Sequence, residues 1–375
     1  MMVSKVKVDT LMRFIFLVIL FLCLLPYVGW HLWMLPPVAR WARWMVVGLM
    51  ALCVGMCIFS LTRYLDRIPI GLARVVYNVG NKSLIVIAYL LMLFLVVDLL
   101  RLVHVVPTAW VRDNWWACGV LLVALGVVFV YGGIHYHHKE RVALTLDPHG
   151  KEVGGVRLVA LSDLHLGYHN GRKELARWVD LVNAEHPDAV LLAGDLVDRS
   201  LRPLLAEDMA AELRRIEAPV YACMGNHEYY ANYYSPGEVE QFYRDAGIVL
   251  LRDSVATLGN LAIMGRDDRT NPRRLTVGQL KEKYPIAPTS YLVLLDHQPY
   301  RLEEAEGAGV DFQLSGHTHR GQVWPLSWIT DALYECSWGS LRKGGTDYYV
   351  SSGMGIWGAK YRIGTQSEYV VVEIK

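Results

Sequence analysis

The sequence has no close cysteine pair flanked by other ligands and almost no net charge. Its six cysteines, Cys23, Cys53, Cys57, Cys118, Cys223 and Cys336, are scattered, and the first four lie inside apolar runs. Neither a disulfide framework nor a zinc–cysteine site is indicated. A formal charge of +1 gives no bulk attraction to a polyanion, so no nucleic-acid partner is expected. The first apolar run lacks a small-residue cleavage site after it and is followed by three more, which argues against a removable signal peptide. What the chain has in excess is apolar surface. Hydrophobic residues make up 53% of it, and most of the surplus precedes position 135.

Four stretches have the length and apolarity of membrane spans: Leu11 to Trp30, Trp44 to Leu61, Leu84 to Val103 and Trp115 to His135. At 1.5 Å per residue, about 20 residues cross a hydrocarbon layer roughly 30 Å thick. Trp30, Trp41, Trp44, Trp110, Trp115 and Trp116 gather at the run edges, where amphipathic rings favour the headgroup boundary. The segments FIFLVILFLCLL and LIVIAYLLMLFLVV are apolar all round rather than along one stripe, unlike a soluble helical domain. Residues 1–138 are therefore expected to form a transmembrane region with four helices.

Flanking cations set the expected orientation. One side carries Lys5, Lys7, Arg13, Arg63, Arg67, Arg74, Lys82, Lys139 and Arg141, against Arg40, Arg43, Arg101 and Arg112 on the other. The richer side is expected to be cytoplasmic, which puts both termini and residues 139–375 inside. Asp98, the carboxylate deep in a span, lies close enough to Arg101 to read as a snorkelling ion pair before a functional intramembrane acid. His135, His137 and His138 read as a wet juxtamembrane segment before a metal tract.

From about Val142 short apolar runs alternate with amphipathic stretches. Strands are expected at 157–163, 189–193, 220–224, 261–264, 291–295, 312–314, 348–351 and 369–374, and helices at 171–185 and 204–216. Repeated strand–helix–strand units argue an α/β domain over residues 139–375. Polar clusters follow five strands: LSDLHLG (161–167), AGDLVDR (193–199), MGNHEYY (224–230), LLDHQP (294–299) and LSGHTHRGQ (314–322). Open α/β sheets gather ligand-binding groups in that position. Asp163 and His165 alternate with apolar neighbours and can grip one ion from one face, and His317 and His319 repeat the spacing. Asp195 offers two carboxylate oxygens that can bridge two ions. A mixed N/O set suits zinc, iron, manganese or nickel better than calcium. Each cluster taken singly is an ordinary turn or loop, but the ordered set of five is hard to explain by packing.

That ordered set resembles the calcineurin-like metallophosphoesterases, whose pattern runs Asp-x-His, Gly-Asp-x-x-Asp, Gly-Asn-His-Glu/Asp, a lone His and Gly-His-x-His. Every block is present between Val156 and Lys375. Within the family the chain most resembles bacterial membrane-tethered phosphoesterases, through GHTHRGQ and a late YRIG segment. The resemblance implies two mixed β-sheets flanked by helices, a four-layer α/β/β/α sandwich, with two divalent metal ions (Mn, Fe, Zn or Ni) as cofactors. It assigns Asp163, His165, Asp195 and His319 to one ion, and Asp195, Asn226, His297 and His317 to the other. It makes His227 the proton donor or phosphate-polarising group and Asp198 the carboxylate that orients it, although Asp198 also reads as a turn carboxylate. Arg199 departs from the small residue expected in the membrane-tethered relatives and resembles the Asp-Arg of protein phosphatases. It reads equally as a contact to a phosphate oxygen or as a surface charge.

The function expected is hydrolysis of a phosphodiester or pyrophosphate by metal-activated water, in a bacterial inner-membrane protein. Colocation with a membrane suggests a lipid-linked substrate, with membrane lipids as partners. Phosphomonoester or phosphoprotein hydrolysis is the enzymatic alternative, and a catalytically silent membrane scaffold is the alternative of another class. The tyrosine-rich stretch 229–243 reads as a wall over the site or as ordinary loop packing.

Overall fold

A computed structural model describes residues 23–234 and 236–375, which divide into two compact units between Phe129 and Val130. Residues 23–34 form α1, the described part of the first expected span, whose residues 11–22 lie outside the described residues. Helices α2 (Arg40–Ser60), α3 (Ile70–Leu102) and α4 (Trp115–His137) are each long and apolar enough to cross a membrane. The structure thus describes three such helices, where the sequence suggested four. Helix α3 begins 14 residues before the expected span at Leu84, because the polar residues Arg74, Asn78, Asn81, Lys82 and Ser83 lengthen it without breaking its backbone ladder. Asp98 accepts from Arg101 Nη1 at 2.8 Å, as expected for an ion pair, and also from the Tyr27 hydroxyl at 2.8 Å. His31 Nε2 lies 3.0 Å from the same carboxylate.

The second unit contains two six-stranded sheets. The first runs in the order β1 (Lys139–Leu146), β12 (Ser367–Ile374), β2 (Val156–Leu161), β3 (Ala189–Ala193), β4 (Val220–Cys223) and β5 (Ile248–Leu251). The second runs β10 (Gly339–Lys343), β11 (Thr346–Val350), β9 (Phe312–Ser315), β8 (Tyr291–Leu295), β7 (Leu261–Gly265) and β6 (Ser254–Leu258). Strands β2 to β5 are mutually parallel, as are β7, β8 and β9, so their carboxyl ends share one edge of each sheet.

Leu158, Leu191, Ile263, Val293 and Phe312 fill the space between the sheets. Each such fully buried side chain contributes about 1.5–3 kcal/mol. Helices α5 (Arg172–Ala184), α6 (Arg202–Ala206), α7 (Met209–Leu213), α8 (Asn226–Tyr234) and α9 (Glu238–Asp245) accompany the first sheet, whose other apolar face packs against Trp178, Leu213 and Phe242. Helices α10 (Val277–Lys283) and α11 (Glu303–Gly307) pack through Leu280 and Ala305 on the second sheet, and α12 (Leu326–Leu333) follows β9. The single helix expected at 204–216 is two, because Asp208 adopts a left-handed φ of 50° between α6 and α7.

Candidate metal centre

Each expected ligand sits just beyond a buried strand. Strand β2 leads to Asp163 and His165, β3 to Asp195, β4 to Asn226 at the head of α8, β8 to His297, and β9 to His317 and His319. The rigid core fixes the strand ends, and the backbone then turns sharply. Asp163, His165, Asp195, His317 and His319 all have positive φ, from 45° to 71°. A side chain in that region is strained by about 1–3 kcal/mol and persists where its surroundings over-determine it. The turns are braced across strands: Asp163 N–H donates to Gly194 O at 3.1 Å and His165 N–H to Asp195 O at 2.9 Å. At Gly194, with a φ of 78°, a Cβ would lie 2.8 Å from His297 Nδ1, so the loop admits only hydrogen there.

Two sets of donor atoms converge. Asp163, His165 and His319 form one: His165 Nε2 and His319 Nε2 are 3.1 Å apart and lie 3.7 and 3.5 Å from Asp163 Oδ1. Asp195, His297 and His317 form the other. Asn226 Oδ1 joins it, 3.2 Å from His297 Nε2 and 2.8 Å from His317 Nδ1. Asp195 Oδ2 faces both sets, 3.6 Å from His165 Nε2 and 3.1 Å from His297 Nε2. Because Ala193 O can only accept, His297 carries its proton on Nδ1 and turns the Nε2 lone pair toward the site. A backbone partner of this kind orients metal-binding histidines.

The electrostatics ask for cations. Burial opposes charge on His165, yet Asp163, Asp198 and Asp195 outweigh it and raise its pKa to about 10. Burial likewise opposes charge on His297, and Asp195 overcomes it. Burial dominates instead at His319 and His317, which fall to about 3 and about 4. The carboxylates thus draw positive charge to His165 and His297, a demand that a metal ion at their lone pairs would meet in place of a proton. The donor chemistry and convergence fit a divalent transition metal.

His227 packs edge-on against His165, with ring centroids 4.5 Å apart, and its side chain is 13% exposed. Its Nδ1 donates to the carbonyl of Asp198, so Nε2 is the ring nitrogen that remains for a ligand or a substrate. The Asp198 carboxylate is fully buried, 3.5 Å from His165 Nδ1 and 3.8 Å from His227 Nδ1, so it borders both rings. His227 also falls within ligand distance of His165 and Asp195, a grouping that competes with a pure proton-donor role. Arg199 is partly buried on the same loop, and neither donor set includes it.

Three supporting residues escaped the sequence analysis. Buried Glu228 accepts from Asp195 N at 3.0 Å, Gly225 N at 2.8 Å and Val197 N at 2.9 Å, tying two ligand loops together. Burial and Asp195 raise it to about 7. Arg362, also fully buried, donates to His319 O at 2.7 Å. Asn170 Nδ2 donates to Leu164 O and His165 O, at 2.9 and 3.1 Å, and its Oδ1 accepts from the Tyr136 hydroxyl at 2.8 Å. Glu228 and Arg362 stood inside the GNHE and YRIG segments but carried no assigned role. Asn170 lies in no segment that suggested one.

His135, His137 and His138 do not come together as a ligand group among the described residues. His137 faces Glu174 at 3.8 Å and His138 faces Glu140 at 3.4 Å.

Two sheets thus carry His, Asp and Asn together at their carboxyl edges. Residues 156–321 match the family model described as calcineurin-like phosphoesterase. The chain is 31% identical over 238 residues to an uncharacterized metallophosphoesterase of Aquifex aeolicus, covering 61% of this chain and 87% of that one. It is 31% identical over 277 residues to a transmembrane protein with metallophosphoesterase domain of Danio rerio, covering 68% and 62% respectively. An uncharacterized metallophosphoesterase of Campylobacter jejuni is 29% identical, with 68% of each chain covered. The chain therefore belongs to the calcineurin-like phosphoesterase family. It spans less than two thirds of the zebrafish relative's length.

Proposed function

We propose that the protein is a membrane-anchored phosphoric ester hydrolase with a dinuclear metal centre, acting on a phosphodiester or pyrophosphate carried by a lipid. The observation that carries this reading is the shared oxygen: Asp195 Oδ2 faces a histidine of each donor set. Asp163, His165, Asp195 and His319 would hold one ion, and Asp195, Asn226, His297 and His317 the second. A pair of ions so bound supplies an activated water and stabilises charge on the phosphate oxygens. The protein's own groups do the rest. The Asp198 carbonyl accepts the hydrogen bond from His227 Nδ1, and Nε2, protonated in the imidazolium form, gives its proton to the departing oxygen. Glu228 holds the Asp195 loop against the Asn226 loop.

The long apolar helices support the membrane anchor and the lipid-linked substrate by colocation. The cation count supports a catalytic unit on the cytoplasmic side of a bacterial inner membrane, with both termini inside. Arg199 supports a second reading, phosphomonoester or phosphoprotein hydrolysis, since a planar guanidinium binds a terminal phosphate well. Against a silent scaffold stand the full set of donors and the presence of His227 beside them. The test is a screen of the purified full chain, reconstituted with each metal, against soluble monoesters, soluble diesters and then lipid diphosphates. Turnover of diesters or lipid diphosphates above monoesters is expected. No turnover of any ester with metal bound would leave the scaffold.

A further inference from the structure

Helix α12 is amphipathic the wrong way round for a water-facing helix. Its buried position is the small polar Ser327, whereas Leu326, Trp328, Ile329 and Leu333 point outward, Trp328 at 65% and Leu333 at 66% exposure. Trp324, stacked edge-on against Trp328 with centroids 5.4 Å apart, and Trp357 extend the same apolar set. The one charge in 324–333 is Asp331, which accepts from the Ser337 hydroxyl. Contiguous exposed apolar surface of this kind marks an interaction site.

The second unit's own contacts connect this surface to the membrane exit. The last two turns of α4, from Val130 to His137, belong to that unit. Arg362 N–H donates to Gly132 O at 3.0 Å, and Ile363 packs so closely that a Cβ on Gly132 would lie 2.7 Å from it. Ile363 bridges Val323 in parallel, and its carbonyl accepts from Trp324 N–H at 2.7 Å. Gln322 Nε2 donates to Trp357 O at 3.0 Å, which holds the second loop beside the first. Gly132 lies five residues before the end of α4, about 7 Å along its axis. Around it Val130, Tyr131 and Ile134 are exposed and apolar, as lipid-facing residues are. The root of α12 therefore stands level with the final turns of the span.

We propose that Trp324, Leu326, Trp328, Ile329, Leu333 and Trp357 form a bilayer-contacting face of the catalytic unit, seated in the headgroup boundary of the membrane that α4 crosses. Tryptophan and aliphatic side chains without cationic competitors suit that boundary. The face begins five residues after His319, so the loop that carries two metal-site histidines also carries the membrane contact. It exists whether or not the site hydrolyses a lipid.

The test uses the full chain in vesicles of phosphatidylethanolamine and phosphatidylglycerol, with a photoactivatable residue placed singly at Trp328, Ile329 or Val249. Val249 is also exposed, at 45%, but lies on β5, the sheet edge opposite β1. Phospholipid adducts at Trp328 and Ile329, and none at Val249, are expected. Adducts to a second copy of the chain, no adduct at either α12 position, or equal lipid adducts at Val249 would each overturn the proposal. Trp328→Glu with Ile329→Glu gives an independent measure: hydrolysis of a soluble diester stays unchanged while adducts from a probe at Leu333 are lost. Persistence of those adducts would also overturn it.

Discussion

The membrane helices and the catalytic unit solve opposite solvent problems. In α2, α3 and α4 the large apolar residues face outward, Trp41, Leu49, Leu99 and Leu122 among them, and the backbone closes its hydrogen bonds within each helix. In the catalytic unit the apolar residues fill the interior, and the carboxylates and imidazoles of the site are also buried, at strand ends with left-handed backbone. Regular backbone with inverted surface makes an anchor; irregular backbone on a rigid sheet makes a site. The α12 face breaks this division, since it is an anchor-like surface on the catalytic unit.

The sharpest way to break the comparison is Asp195→Ala. Removing the oxygen that faces both donor sets should lower metal content from about two equivalents at both positions, measured by elemental analysis of the purified chain. Activity should fall well beyond the roughly 10–100-fold that loss of an outer-shell partner costs. Full occupancy in the variant would remove Asp195 as the bridge.

His227→Asn comes next. It keeps a polar side chain but removes the proton that a free Nε2 can carry, so kcat should fall by about 10²–10⁴ with metal content and KM little changed. The loss should shrink for esters with good leaving groups. Loss of metal instead would place His227 with His165 and Asp195 as a ligand.

Glu228→Gln should have a smaller effect. Each Glu228 oxygen accepts, one from Asp195 N and Gly225 N, the other from Val197 N and Tyr243 Oη, so an amide NH2 must face two donors wherever it points. Metal affinity should drop by about 10–100-fold, read by chelator competition. Unchanged affinity would make Glu228 a packing residue only.

These three residues differ in how visible they were beforehand. Asp195 and His227 stood out because five polar clusters follow apolar strands in one order, and the parallel order of β2, β3 and β4 brings such strand ends together. Glu228 did not, because its role is to accept backbone N–H groups from loops that are distant in sequence. The same limit hid β1, which pairs with β12 from the other end of the chain. It hid α12 as well, since the sequence WPLSWITDAL gives an apolar count but not which side faces out. Helices α2 and α4 lie close to the expected apolar runs, because a span needs no distant partner, whereas α3 opens earlier with polar turns and residues 11–22 of the first expected run lie outside the described residues.

The smallest expected effect is the one that measures how separate the two regions are. Asp98 joins Arg101, Tyr27 and His31 within the first unit, so Asp98→Asn weakens charge-assisted bonds there. Each such bond contributes about 1.5–3 kcal/mol, and the thermal midpoint of the full chain in detergent should fall accordingly. Turnover of a soluble diester should stay within about twofold, since the partners of Asp98 all lie in the first unit and groups without shared partners add independently. A loss of kcat comparable to that of Glu228→Gln, with metal content intact, would mean that the polar cluster among the spans is energetically linked to the metal centre. The membrane helices would then take part in the chemistry as well as in anchoring.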